Sequence, residues 1–225
     1  FYIGDIYYYP DVYITELPDS ILKHPELFKK RSNKNYSVYF RQNTFNPKIF
    51  RQFNYLRSGH IYNDDLFYKT VNTFGQIGSW KQVDTRTLIR GDSVDIHYFL
   101  YPDRKQNITY NLEASRNTGD ILTTGNFFGL ALNITYRNRN VWHHAVQSTT
   151  SLTNGVEFGF NQPQTSSLMQ AFQISLGQSY SFPRAFIPCK IKHPGKLDFG
   201  RTVISRNASY AERQGYFGLR WLRAN

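Results

Sequence analysis

The chain has 225 residues, a formal charge of +11, and 17% aromatic residues. It contains no apolar run approaching the roughly 20 residues a membrane helix needs, so helical crossing of a bilayer is excluded. A single cysteine, Cys189, rules out an internal disulfide and a multi-thiolate zinc site.

In chain order, Tyr2 to Tyr9 reads as a strand ended by Pro10. Residues 11–46 carry Pro18, Pro25 and a basic run at Lys29, Lys30 and Arg31, and are expected to be an irregular insertion or loop. Asn46-Pro47 has the form of a helix start, with Ile49, Phe50 and Phe53 at helical spacing and Gly59 as the stop. Asn63-Asp64-Asp65 caps a second helix whose buried side is Leu66, Phe67, Thr70, Val71 and Phe74, with Gly75 and Gly78 at its end. Two strands, Ser79 to Leu88 and Ser93 to Tyr101, follow around a turn at Arg90-Gly91-Asp92. The expectation for residues 1–106 is a small α+β unit, strand, helix, helix, strand, strand. Its open sheet edge, Trp80, Lys81, Gln82 and Val83, can accept an extended peptide by main-chain pairing.

Beyond residue 106 the period changes to two. Ile108, Tyr110, Leu112 and Ala114 alternate with Asn107, Thr109, Asn111 and Glu113. Phe128, Leu130, Leu132, Ile134 and Tyr136 alternate with Gly129, Ala131, Asn133, Thr135 and Arg137. Val156, Phe158 and Phe160 and then Phe172, Ile174 and Leu176 repeat the pattern. One such strand alone fits a half-buried soluble sheet better than a membrane wall. Several in series, with small or amide residues on the second side, suit tilted strands that face lipid on one side and a polar lumen on the other. Ser181 to Pro188 and His193-Pro-Gly195 read as a loop or rim, and Thr202 to Ser209 and Tyr216 to Trp221 as two more strands, with Phe217, Leu219 and Trp221 outward.

Charge follows the same division. Lys+Arg against Asp+Glu stand at 15 to 11 in residues 1–106, 3 to 3 in residues 107–183 and 9 to 2 in residues 184–225. A charge at the midplane of a lipid-facing wall costs about 2–4 kcal/mol, so a nearly uncharged middle block is what a bilayer selects. Nucleic-acid binding is not expected, because the aromatics alternate with amides and small residues rather than with Lys and Arg on one face. Nucleotide-binding, hydrolase-elbow and metalloprotease motifs are absent, so no enzyme activity and no cofactor is expected. His143-His144 is not expected to be a metal site, since adjacent strand residues point to opposite faces and two ligands to one ion would need a bend.

The run Phe45-x-Pro47, Phe53-Asn-Tyr-Leu-Arg-Ser-Gly-His-Ile-Tyr62, Gly78-Ser-Trp-Lys-Gln-Val83, Val94-Asp-Ile96 and Leu100-Tyr-Pro102 resembles a POTRA domain. Asn111-Leu-Glu-Ala-Ser115, Asn126-Phe-Phe-Gly-Leu-Ala131 and Tyr136-Arg-Asn-Arg-Asn-Val-Trp142 resemble the opening barrel strands of the BamA/TamA superfamily of outer-membrane assembly factors, most like the TamL-type relatives of Bacteroidetes. The resemblance implies a β-α-α-β-β POTRA domain at 1–106, in the periplasm of a Gram-negative bacterium, followed at 107–225 by antiparallel transmembrane strands of an incomplete barrel. It also implies a gate strand at Asn107, Ile108, Thr109, Tyr110, Asn111 and Leu112, and lipid-facing Phe128, Leu130, Leu132, Ile134 and Tyr136. The implied partners are unfolded outer-membrane clients, periplasm-spanning or outer-membrane assembly proteins, and outer-membrane lipid. Two alternatives stay open: the POTRA-barrel carrier of a secreted enzyme, patatin-like or of two-partner secretion, and a soluble β-rich binding module. The family's Arg-Gly-Phe-like inward loop motif is missing from this sequence.

Overall fold

The computed structural model describes residues 1–13, 15, 28–33, 35–42, 44–117, 126–160, 168–184, 200–213 and 217–224. Expectations placed on Cys189, the prolines of 185–199 and Tyr216 lie outside these residues. The chain is mostly β, with two sheets and two short helices among the described residues. It divides into two compact units.

The first unit takes in Phe1–Lys105, Arg139–Gln147 and the described residues of Phe182–Arg201. Its sheet holds β1 (Tyr2–Tyr9), β2 (Lys29–Asn33), β3 (Tyr36–Phe40), β4 (Trp80–Arg90) and β5 (Ser93–Pro102), in the order β2-β3-β1-β5-β4. β1 is parallel to both β3 and β5, while β2–β3 and β4–β5 are antiparallel hairpins. Helices α1 (Lys48–Phe53) and α2 (Asp64–Gln76) supply Ile49, Phe50, Phe53, Thr70 and Phe74 as buried residues. The strands bring Ile6, Tyr8, Val38, Ile96, Tyr98 and Leu100 to the same core.

At its centre Tyr8 is fully buried, with its ring stacked on Phe50 at 5.0 Å and on Tyr98 at 5.2 Å, and edge-on to Tyr36 and Phe74. Burying a phenol needs a partner for its oxygen, and Asn54 Nδ2 donates to Tyr8 Oη at 2.5 Å. Asn54 Oδ1 in turn accepts from Leu56 N at 2.8 Å. That local bond turns the chain out of the helix, so α1 ends at Phe53 and not at Gly59 as its spacing suggests. Gly59 instead occupies a turn at φ +82°. α2 starts as the sequence indicates, with Asn63 Oδ1 accepting from Leu66 N at 3.1 Å.

Residues 11–46 correct the sequence reading more substantially. Composition predicts an irregular segment, yet the described part folds into the β2–β3 hairpin and widens the sheet. Tyr36, Val38 and Phe40 alternate into the core, a period-two signal obscured by the neighbouring basic run. The turn between β4 and β5 is as expected, with Gly91 at φ +61°. The β1–β5 register shifts between Ile3 and Ile6, where Gly4 leaves room for the Asp95 carboxylate, which accepts from Asp5 N at 2.8 Å.

The second unit is a six-stranded sheet in the order β11-β10-β9-β8-β7-β6. Its strands are β6 (Gln106–Asn117), β7 (Asn126–Val141), β8 (Val146–Phe160), β9 (Met169–Phe182), β10 (Thr202–Arg213) and β11 (Phe217–Ala224). β6–β7 and β10–β11 are antiparallel. The sheet is open, with β6 and β11 as edges among the described residues. β8 and β9 are longer than expected because Ser, Thr and Gly interrupt their apolar alternation without interrupting their pairing.

Candidate functional site

Directly opposed residues of an antiparallel pair share a face, so register sorts the side chains of the second sheet. Across β6–β7 one face pairs Ile108 with Tyr136, Tyr110 with Ile134, Leu112 with Leu132, and Ala114 with Leu130. The other pairs Asn107 with Arg137, Thr109 with Thr135, Asn111 with Asn133, Glu113 with Ala131, and Ser115 with Gly129. The first face is exposed: Tyr110 is 68% accessible, Leu112 72% and Leu132 40%. Phe128, Leu130, Leu132, Ile134 and Tyr136 therefore share one side, and Asn107 to Leu112 form part of an edge strand.

The polar face continues across the sheet. A Cβ on Gly129 would meet Ser115 and Glu157, and one on Gly177 would meet Ser151 and Asn207. Arg213 stands 5.8 Å above the Phe127 ring. β7 and β10 are three strand spacings apart, about 14 Å on a flat sheet, so this face curls inward. The curl leaves an open-sided hollow of about 320 Å³ bordered by Ser115, Gly155, Glu157, Gln173 and Arg213 among others.

β11 departs from expectation. Trp221 opposes Ser209 and Leu219 opposes Ala211, on the side of Asn207 and Gly177, not on that of Leu130 and Leu132. Alternation identifies two faces but not which way each looks, and only register decides that. The exposed face thus changes character at this end. Arg206 donates to Gln178 Oε1, Tyr210 donates to Glu212, and Arg220 lies 5.4 Å over the Tyr210 ring.

In the first unit, β4 is the outer strand of its sheet. Trp80 anchors it, buried against Phe45 at 5.1 Å and Phe74 at 5.7 Å. A register shift falls between Trp80 and Gln82, leaving Lys81 in the irregular step, while Lys81 and Gln82 are exposed and Val83 is half-buried. A bulge spoils regular pairing. Regular pairing with β5 therefore runs from Gln82 to Arg90, with Ile89 69% exposed.

The segment Arg139–Gln147 also belongs to this unit, a role that no local pattern in the sequence announces. Arg139 pairs with Asp103 at 3.1 Å, and Ser79 Oγ donates to Arg139 O. Asn140 Nδ2 donates to Thr44 O at 2.6 Å, Asn46 N donates to His143 O at 2.8 Å, and Ala145 is buried in the core. Trp142, His143 and Ala145 hold φ near +55° to +59°. Both histidines face carbonyls through Nδ1, His143 toward Thr44 O and His144 toward Trp142 O.

On the sheet face away from the helices, His97 is stacked on Tyr7 at 4.6 Å and its Nδ1 lies 3.2 Å from Tyr9 Oη. Burial pushes its imidazole down to about 4; nearby Arg86 acts in the same direction and Asp95 opposes it. A depressed histidine is held neutral by the fold, so the unfolded chain binds the extra proton first as pH falls. The stabilisation is complete above about pH 6.5 and is lost as pH drops from there towards about 4, up to about 3 kcal/mol from a site of this depression. Urea midpoints of the full chain should fall between pH 7 and pH 5, and His97→Phe should flatten that slope. An unchanged slope would remove this residue as its source.

No family model matches the sequence. No curated protein matches it. Among solved structures, BamA from Haemophilus ducreyi lacking POTRA domains 1–3 is similar at a TM-score of 0.33 and 11% identity, over 85% of this chain and 50% of that one. The chain thus spans about half the length of that BamA chain, and a superposition this loose says nothing about function.

Proposed function

We propose that the protein is a non-enzymatic outer-membrane assembly or translocation factor. In this reading the second sheet is part of a transmembrane β-barrel wall and the first unit is a POTRA-like periplasmic domain. The observation that carries it is the separation of faces across β6–β7: exposed Ile, Tyr and Leu on one side, and on the other Asn, Thr, Ser and Gly together with Ala131, Glu113 and Arg137. Water gives no reason to expose a continuous apolar face, whereas a bilayer does. Arg206, Tyr210, Glu212 and Arg220 interrupt the apolar face on β10 and β11, so the lipid-facing stretch in this reading is the one over β6 and β7.

Client β-rich polypeptides would add to the open edge of β4 along Asp84 to Arg90 and pass to a seam formed by β6, with Asn107 to Leu112 as its gate strand. The superfamily reading, including its TamL-type form, rests on the sequence motifs. Periplasm-spanning or outer-membrane assembly proteins are the further partners this reading carries, and it calls for no cofactor.

The test is the folding rate of a small, urea-unfolded barrel protein into lipid vesicles, with and without the full chain embedded in them. Acceleration is the expected result. If the chain embeds and the rate does not change, the assembly role is wrong; if the chain stays in the supernatant without detergent, the membrane reading is wrong as well.

A further inference from the structure

The two edges of the first sheet differ in chemistry. β4 carries charges of both signs, but β2 carries only cations: Lys29, Lys30 and Arg31 are consecutive and all exposed. Between Phe28 and Gln42 the sequence has five Lys or Arg and no Asp or Glu. Consecutive strand residues project to opposite faces, so the cations flank the strand on both sides. Lys30 opposes Tyr39 and holds its ammonium 5.5 Å from that ring, and Arg31 opposes Val38 with its guanidinium 5.6 Å from the Phe40 ring. These ring contacts restrict the two side chains before any partner arrives, which lowers the ordering cost of binding. Among the described residues nothing pairs with the outer side of β2, so its main-chain donors and acceptors are presented there.

We propose that β2 is a docking edge for an acidic, extended segment of a partner protein. The segment adds to the sheet as a further strand beside β2, and its carboxylates on either face meet Lys29 and Arg31 on one side and Lys30 on the other. Scattered lysines on an edge strand serve to prevent aggregation. A run of three cations on both faces, two of them seated on aromatic rings, does more than that: it selects for opposite charge in the strand that pairs.

The probe is a fluorescent peptide of repeating Glu-Glu-Val-Val, which as an extended strand carries carboxylates on both faces, titrated by anisotropy against the full chain in a zwitterionic detergent. Saturable binding is expected. It should weaken at least ten-fold in Lys30→Glu/Arg31→Glu, and also in the milder Lys30→Gln/Arg31→Gln, which keeps the hairpin's shape. Lys48→Glu/Arg51→Glu changes net charge equally on α1 and should leave the affinity within two-fold. Raising salt from about 0.1 M to about 1 M shortens the Debye length from about 10 Å to about 3 Å and should weaken binding further. The same peptide with every amide N-methylated keeps its charge but cannot donate to the β2 main chain from either edge, and should not bind. Equal binding of the methylated peptide, equal loss in the α1 variant, or preference for vesicles of anionic lipid over the peptide would each overturn the proposal.

Discussion

Tyr8→Ala is expected to lower the stability of the chain by about 3–5 kcal/mol, from the cavity left by a fully buried aromatic ring. A further loss follows because Asn54 Nδ2 is stranded without the phenol that accepts from it. Tyr8→Phe separates the two effects, since it keeps the stacking on Phe50 and Tyr98 and removes only the oxygen. It should cost about 1–3 kcal/mol, the range for a buried polar group deprived of its partner. Domain stabilities are about 5–15 kcal/mol in total, so the alanine variant removes a large share. Urea unfolding of the full chain, followed by Trp80 emission in a Trp142→Phe/Trp221→Phe background, reads the change. Equal midpoints for Tyr8→Phe and the parent would show that the Asn54 bond contributes nothing.

The second large effect concerns which solvent the second sheet meets. Leu132→Arg and Asn133→Arg place the same charge on adjacent residues of β7 that face opposite ways, beside Leu112 and Asn111 respectively. In a bilayer the first costs about 2–4 kcal/mol and the second very little. The expected outcome is that Leu132→Arg loses retention in the membrane pellet after carbonate extraction while Asn133→Arg keeps it. In water the already exposed Leu132 would tolerate arginine, so equal behaviour of the pair would remove the membrane reading.

The parts of the fold legible from sequence are those in which one physical period dominates. Asn63 with Asp64 and Asp65 marks the start of α2 because a cap is local chemistry. The alternation through Leu130, Leu132 and Ile134 marks β7 because successive side chains follow the pleat to opposite faces. The β2–β3 hairpin is not legible because Lys29, Lys30 and Arg31 dominate the composition of a strand whose partner, not itself, supplies the core residues Tyr36, Val38 and Phe40. The faces of Leu219 and Trp221 are not legible because they depend on pairing with Ala211 and Ser209. Trp80 lies in the stretch expected to form the pairing edge, yet its side chain serves the core, and the free part of β4 begins only past the bulge. Sites are read more coarsely than folds for this reason: an edge is a property of the assembled sheet, and no local residue pattern encodes it.

The parallel position of β1 between β3 and β5 has a kinetic consequence. Tyr8 meets Val38 on one side and Tyr98 on the other, so β1 cannot complete its ladder until a segment ninety residues later has emerged. Hairpins β2–β3 and β4–β5 close over short loops and can form early, but joining them through β1 carries the larger entropy cost of a distant encounter. During synthesis or export, Ile3, Ile6 and Tyr8 are therefore left without their β5 neighbours until that strand has followed, and a holding chaperone would find a persistent target in β1.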